Sequence, residues 1–324
     1  MRYFLLSVLS LTLLMSCGDK KSNEKFLPDA SGAINNVSVV TENDLWDGRV
    51  GEAIRNVLAK PIYGLPQDEP TFTISQIPTS VFSGFVTKNR TVLKIETNKE
   101  AGITISDNMY AKPQKVIVVS GKTKKEIIDV LKANETKIID IFRNEELSER
   151  LRQMAKSPHN FETIKEKLGL TIEFASVYRK AKETDNFFWI RKDITTGTTN
   201  LMIYELPYDA IKRNDSVVNQ IIKIRDSIGR AYIEGPVEGS YLITENAYTP
   251  FHGETIIDNK PTLETKGLWD VKNAFMGGPF INYAIEDKIN KRWVVVEGFA
   301  FAPSVEKRNY MLELEAIIKS VKIQ

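Results

Sequence analysis

The stretch LETKGLWDVKNAFMGGPFINYAIED, residues 263–287, decides how this chain folds. Residues 263–271 and 279–286 read as strands, each about the length a strand takes and too short for an ordinary helix. Between them Gly277, Gly278 and Pro279 permit backbone geometry that other residues resist. Trp269, Phe275, Phe280 and Tyr283 make the stretch dense in aromatic rings. One reading is a bulged or kinked strand with its rings in the core. The other is an aromatic-lined cleft for a sugar, peptide or lipid, built from Trp269, Phe275, Met276, Phe280 and Tyr283 with Phe251 and His252 of the neighbouring AYTPFHG.

Working outward, further strands are predicted at 241–245, 255–258 and 292–301, with no helix between successive strands. Strands that follow one another closely pair antiparallel. The predicted class is therefore α+β, with mostly antiparallel sheets and helices packed on one face, rather than a doubly wound fold. Val217, Ile221, Ile224 and Ile228 mark a helix that Gly229 would close, and Tyr310, Leu314, Ile317, Ile318 and Val321 form the apolar stripe of a last one. Towards the N-terminus, strands are predicted at 35–40, 71–77, 91–96, 102–106 and 115–120, with a helix through Trp46, Val50, Ile54, Val57 and Leu58. Thr123 and Glu126 form a capping box that opens a long helix through Ile127, Leu131, Ile138 and Phe142. The two halves run through their elements in a similar order. This predicts two similar α+β units in tandem, 37–169 and 170–324, with one continuous domain as the alternative.

The N-terminus gives an address. Arg2 precedes an apolar run, residues 3–15, that is too short for the roughly 20 residues of a membrane span and fits a secretory signal. The run ends in Leu14-Met15-Ser16-Cys17, which resembles a bacterial lipobox. In this reading residues 1–16 are a lipoprotein signal peptide and Cys17, the only cysteine, is the lipidated residue. Residues 17–36 then carry the lipid and a flexible polar tether to the membrane. Cleavage leaves no disulfide partner, so the fold must stand without one.

Composition excludes several functions. Lys plus Arg is 44 against 42 Asp plus Glu, and no half of the chain is strongly basic, so no nucleic-acid partner is expected. The Gly121-Lys122-Thr123 triplet lacks the earlier glycine of a phosphate-binding loop, where Val116 stands. Two histidines, His159 and His252, with no His-Glu-x-x-His spacing give no metal site, and no cofactor is expected. Glu254, Asp258 and Glu264 flank a turn and are the candidates for a carboxylate-based hydrolase acting on envelope polymers.

The lipobox, ETKGLWDVKNAFMGGPF (264–280) and VEGFAFAPSVEKRNYMLELEAIIKSVK (296–322) together resemble a domain-of-unknown-function family of Bacteroidota envelope lipoproteins. The resemblance implies an outer-membrane address and brings no activity, cofactor or site residue. In such proteins acidic residues just behind the cysteine resemble a surface-export signal; here Asp19 is followed by Lys20 and Lys21, so a periplasm-facing position is expected. The leading expectation is a non-enzymatic, lipid-anchored module that binds another envelope protein or polymer. The alternatives are the hydrolase and a small-ligand or lipid carrier using residues 263–287.

Overall fold

Val37, Val39 and Val40 leave no surface exposed, so β1 (Asn36–Val40) needs cover on both faces and takes a central place in its sheet. The computed structural model describes residues 26–159 and 161–324; Cys17 and the expected signal peptide lie outside the described residues. After β1 come α1 (Asn43–Trp46), α2 (Arg49–Leu58), β2 (Thr73–Ile77), β3 (Thr91–Thr97), β4 (Gly102–Asp107) and β5 (Lys115–Gly121), then α3 (Lys124–Ala133) and α4 (Glu135–Met154). The strands form one sheet in the order β2-β1-β3-β5-β4. Its first three pairings are parallel, and only β4 runs antiparallel, against β5. Ile54 and Val57 of α2, Ile127 and Leu131 of α3, and Ile138 and Phe142 of α4 bury one face of it.

The expected cap forms in part. Thr123 Oγ1 accepts the Glu126 amide at 3.2 Å, while Glu126 Oε2 reaches back to the Lys122 amide at 2.8 Å and not to that of Thr123. Thr123→Ala is expected to cost about 1 kcal/mol, read as a lower urea midpoint at unchanged slope. The helix it opens does not run on through Phe142: Asn134 leaves helical geometry and ends α3, and α4 begins at Glu135.

Residues 158–159 and 161–168, expected in the first unit, pack with the larger sheet instead, so the second unit holds short β6 (Pro158–His159), α5 (Glu162–Leu168), β7 (Leu170–Thr171) and β8 (Phe174–Ala175), followed by β9 (Arg179–Glu183), β10 (Phe187–Ile194) and β11 (Gly197–Pro207). Then come α6 (Val217–Tyr232), β12 (Leu242–Thr244), β13 (Phe251–Ile257), β14 (Lys260–Val271), β15 (Ala274–Asp287), β16 (Arg292–Phe301), α7 (Arg308–Lys319) and β17 (Lys322–Ile323). β14, β15 and β16 form the antiparallel meander that residues 263–287 announced. The sheet order is β12-β14-β15-β16-β11-β10-β9, with β13 also on the outer edge of β14.

The α+β class stands, and three details depart from the expectation. First, helices cover both faces of this larger sheet rather than one: α7, α5 and the second half of α4 pack on one face, and α6 on the other. Second, the smaller sheet is mainly parallel, so the two units share an order of elements but not a topology. Third, the tether expected through Asn36 is already docked from Asp29 onward, with Ala30 and Ser31 amides donating to the Lys112 and Lys88 carbonyls at 3.0 and 2.8 Å.

Two glycines have packing roles. Gly229 does not end α6, which continues to Tyr232; a Cβ there would sit 2.3 Å from the Leu242 carbonyl oxygen, so its absence lets β12 lie against the helix. At Gly278 a Cβ would lie 2.1 Å from the Ala300 oxygen and 3.1 Å from Trp269 Nε1. Gly278 faces Trp269 in register, and the indole donates to the Ala300 carbonyl of β16 at 3.2 Å. The Gly-Gly-Pro stretch is thus a passage for an indole across β15.

The units are tied together through α4 and α7. Ile138 and Phe142 of α4 belong to the first core, while Leu147 and Met154 belong to the second. Glu146, fully buried in the same helix, accepts Arg90 Nη2 at 2.9 Å and the Asn35 amide at 2.9 Å. Arg143 pairs with Glu315 of α7. No helix among the described residues is long and apolar enough to cross a membrane.

Candidate functional site

Side chains alternate along strands, so Trp189, Arg191 and Asp193 of β10 share one face with Thr198 and Asn200 of β11 and with Phe299 and Phe301 of β16. This is the face that α6 covers. The helix stops at Tyr232, and beyond its end the face lies open as a cleft of about 500 Å³. Trp269 of β14 and Met276 of β15 line it from one side, Trp189, Arg191 and Asn200 from the other, with Phe301 between them.

The cleft is built rather than merely vacant. Trp189 Nε1 donates to Asn200 Oδ1 at 3.0 Å, and Asn200 Nδ2 donates to Thr198 Oγ1 at 3.0 Å, which fixes the indole ring. Trp269 packs edge-on against Phe299, with ring centroids 5.6 Å apart, and against Phe301 at 6.4 Å. Asp193 takes Arg179 Nη2 at 2.8 Å and Arg191 Nη2 at 3.1 Å. Those two guanidinium groups hold the Asp193 carboxyl below its ordinary range, so it serves as a hydrogen-bond acceptor and not as an acid. Arg191 Nε is buried without a hydrogen-bond partner among the described residues.

Further under α6, on the same face, lies a charged network that periodicity did not reveal. Arg225 has no exposed surface; its Nε donates to Glu297 Oε1 at 2.9 Å and its Nη1 to Thr244 Oγ1 at 2.9 Å. Asn282 Nδ2 donates to Glu297 Oε2 at 2.9 Å. The guanidinium carbon lies 3.9 Å from the Phe280 ring centroid. Burial pushes the Glu297 carboxyl up from its ordinary range, while Arg225 and Asn282 pull the other way.

Of the residues singled out in the sequence, Trp269 and Met276 line the cleft. Phe275 is fully exposed near the β14–β15 turn and does not line it. Phe280 is buried beneath Arg225. Tyr283 is buried in the core on the opposite face of the sheet and donates to Glu264 Oε1 at 2.5 Å. Phe251 packs on Tyr63 of the first unit, centroids 5.8 Å apart, and His252 Nδ1 lies 3.1 Å from Thr265 Oγ1, with burial drawing its pKa down. The aromatic set is therefore scattered over the cleft, an exposed turn, the core beneath Arg225, the core on the opposite face and the contact with the first unit. Its missing members, Trp189, Phe299 and Phe301, stand on other strands; the alternation in FFWIRKD, residues 187–193, was the available signal.

The three carboxylates weighed for hydrolysis are each held by a cation: Glu254 by Arg213 at 2.6 Å, Asp258 by Lys260 at 3.3 Å, and Glu264 by Lys266 at 2.9 Å. None of them lines the cleft. His159 packs on Phe161, centroids 4.0 Å apart. No group of three or more His, Cys, Asp or Glu side chains among the described residues is placed to hold a metal ion.

No curated protein matches the sequence. The Saccharomyces cerevisiae Ran-binding protein Mog1p is similar in structure over 48% of this chain and 89% of its own, at 8% identity and a TM-score of 0.33. A family model described as Domain of unknown function (DUF8532) matches residues 30–155, the part that holds the smaller sheet. A second, described as Domain of unknown function (DUF4837), matches residues 157–320, which carry the larger sheet and its cleft. That match spans just over half of the 324 residues, and the chain belongs to the DUF4837 family.

Proposed function

We propose that this chain is a lipid-anchored cell-envelope protein that binds another envelope component in the cleft of its larger sheet, without catalysing a reaction on it. The observation that carries the reading is the cleft itself: fixed tryptophan and phenylalanine rings beside a small set of convergent polar groups, the usual composition of a ligand site. Glu254, Asp258 and Glu264, each tied to a cation and outside the cleft, favour binding over carboxylate-based hydrolysis. The anchor is Cys17, read from the apolar run and lipobox-like tetrapeptide before it. Several acyl chains on one cysteine make attachment effectively permanent, since each buried CH₂ contributes about 0.8 kcal/mol. The address is the outer membrane, with the body facing the periplasm.

Cys17→Ser tests the anchor. The variant is expected to leave the membrane pellet for the soluble fraction when cells are broken and fractionated. A variant that stays in the pellet as the parent does overturns the anchor. Native mass spectrometry of the parent purified from envelopes is expected to show a retained mass that is lost in Trp189→Ala.

A further inference from the structure

We infer that the cleft is a saccharide site that stacks a pyranose ring on Trp189 and binds its hydroxyl groups through Arg191, Asp193 and Asn200. This names the ligand class of the cleft and rests on the binding reading above.

The chemistry of the lining selects among ligands. A pyranose ring has an apolar C–H face and an edge crowded with hydroxyls, so it needs a flat ring and planar polar side chains within one ring's width. β10 and β11 supply both. Trp189 and Arg191 are two residues apart on β10, Asn200 pairs with Arg191 in register, and Thr198 pairs with Asp193. Asp193, held ionised between Arg179 and Arg191, accepts hydroxyl protons. Arg191 lines the cleft with 32% of its side chain exposed, and among the described residues its Nη2 is bonded to Asp193; a ligand hydroxyl oxygen can accept from an exposed guanidinium donor. The size of the cleft, about 500 Å³, lies within the range of small-molecule sites.

The competing ligands fit less well. An acyl chain offers no partner to the Arg191 guanidinium or the Asp193 carboxylate that line the cleft, and it would strip water from both charges, which is costly without new bonds in exchange. An extended peptide binds through its main chain to a free strand edge. Here the cleft floor is the face of β10, β11 and β16, whose backbone groups are already taken up in pairing.

Isothermal titration of the mature chain with maltotetraose, cellotetraose, mannotetraose, chitotetraose and tetragalacturonate, with lauric acid as the apolar probe, tests the inference. At least one tetrasaccharide is expected to bind with a Kd of about 1 mM or below. Trp189→Ala is expected to weaken it about tenfold or more, while Phe275→Ala, outside the cleft, leaves it unchanged. If Trp189→Ala does not fold by circular dichroism, Asn200→Ala takes its place with the same expected loss. The inference is overturned if no sugar binds, or if sugar binding survives both Trp189→Ala and Asn200→Ala. Binding of lauric acid alone, weakened by Trp189→Ala, overturns the saccharide and leaves the binding reading standing. Binding of neither class counts against both.

Discussion

Arg225→Ala is expected to destabilise the folded chain by about 3–5 kcal/mol, seen as a fall of about 1–2 M in the urea midpoint. The guanidinium and the Glu297 carboxylate both have no exposed surface. Removing the cation leaves a buried anion with one remaining donor, Asn282 Nδ2. The lost cation–π contact with Phe280 is worth about 2 kcal/mol; the stranded charge is the larger effect. Two controls separate them. Arg225→Met with Glu297→Leu removes both charges while keeping volume, and is expected to recover more than half of the loss, because an apolar replacement of a buried pair is often neutral. The penalty of the single variant is also expected to shrink as pH falls. Without Arg225, burial acts on Glu297 with less opposition, so its folded pKa lies further above the unfolded value. A carboxyl with a raised folded pKa favours the folded state below that pKa and ceases to as pH rises through it. A penalty independent of pH would mean that the packing left by the missing side chain, and not the anion, sets the cost.

This network also shows where the sequence stops being readable. Arg225 sits beside the stripe Ile221, Ile224, Ile228 and reads as an ordinary helical arginine; its partner, Glu297, is 72 residues away in a strand whose interior is otherwise apolar. Periodicity identifies which positions share a face, but not which charges meet across two elements. The strands themselves were legible because alternation and β-branched runs are local signals, and so was the Thr123 cap, whose whole geometry lies within four residues. Strand direction was not. α1 and α2 between β1 and β2 are a crossover signal, yet the four strands from β2 to β5, which follow without an α-helix, suggested a meander. In fact β3 and β5 lie parallel, with β4 returning on the outside of β5. The cleft was half legible. Trp269 and Met276 stood out in a glycine-punctuated stretch, whereas Trp189 and Asn200 line it only because α6 ends where it does, a fact of tertiary packing.

Glu69→Ala is expected to cost about 3 kcal/mol and to separate the unfolding of the two units. The first turn of any helix carries amides without helical partners. In α7 the N-cap residue, Lys307, provides no side-chain cap. Glu69, from the loop before β2, does so instead: its two oxygens accept the Lys307 amide at 2.7 Å and the Arg308 amide at 2.8 Å, in a place only 4% exposed. A carboxylate at a helix N-terminus also meets the positive end of the dipole. Arg308 reaches back from the same turn, donating to the Pro70 carbonyl at 2.6 Å and to Thr73 Oγ1 at 3.0 Å. The clasp therefore joins the smaller sheet to the helix that fills one face of the larger. With alanine at 69 two buried amides lose the acceptor that Glu69 gives them among the described residues. Trp189, Trp269 and Trp293 report on the second unit, with Trp46 alone in the first, so tryptophan fluorescence follows mainly the larger sheet while far-ultraviolet dichroism follows both. In the parent the two signals are expected to give coincident urea transitions; in Glu69→Ala they are expected to part. Glu69→Gln keeps one acceptor oxygen and should fall between the two. If Glu69→Ala leaves a single transition at the parental midpoint, water serves the Lys307 and Arg308 amides, and the shared α4 and its Arg143–Glu315 pair hold the units together unaided.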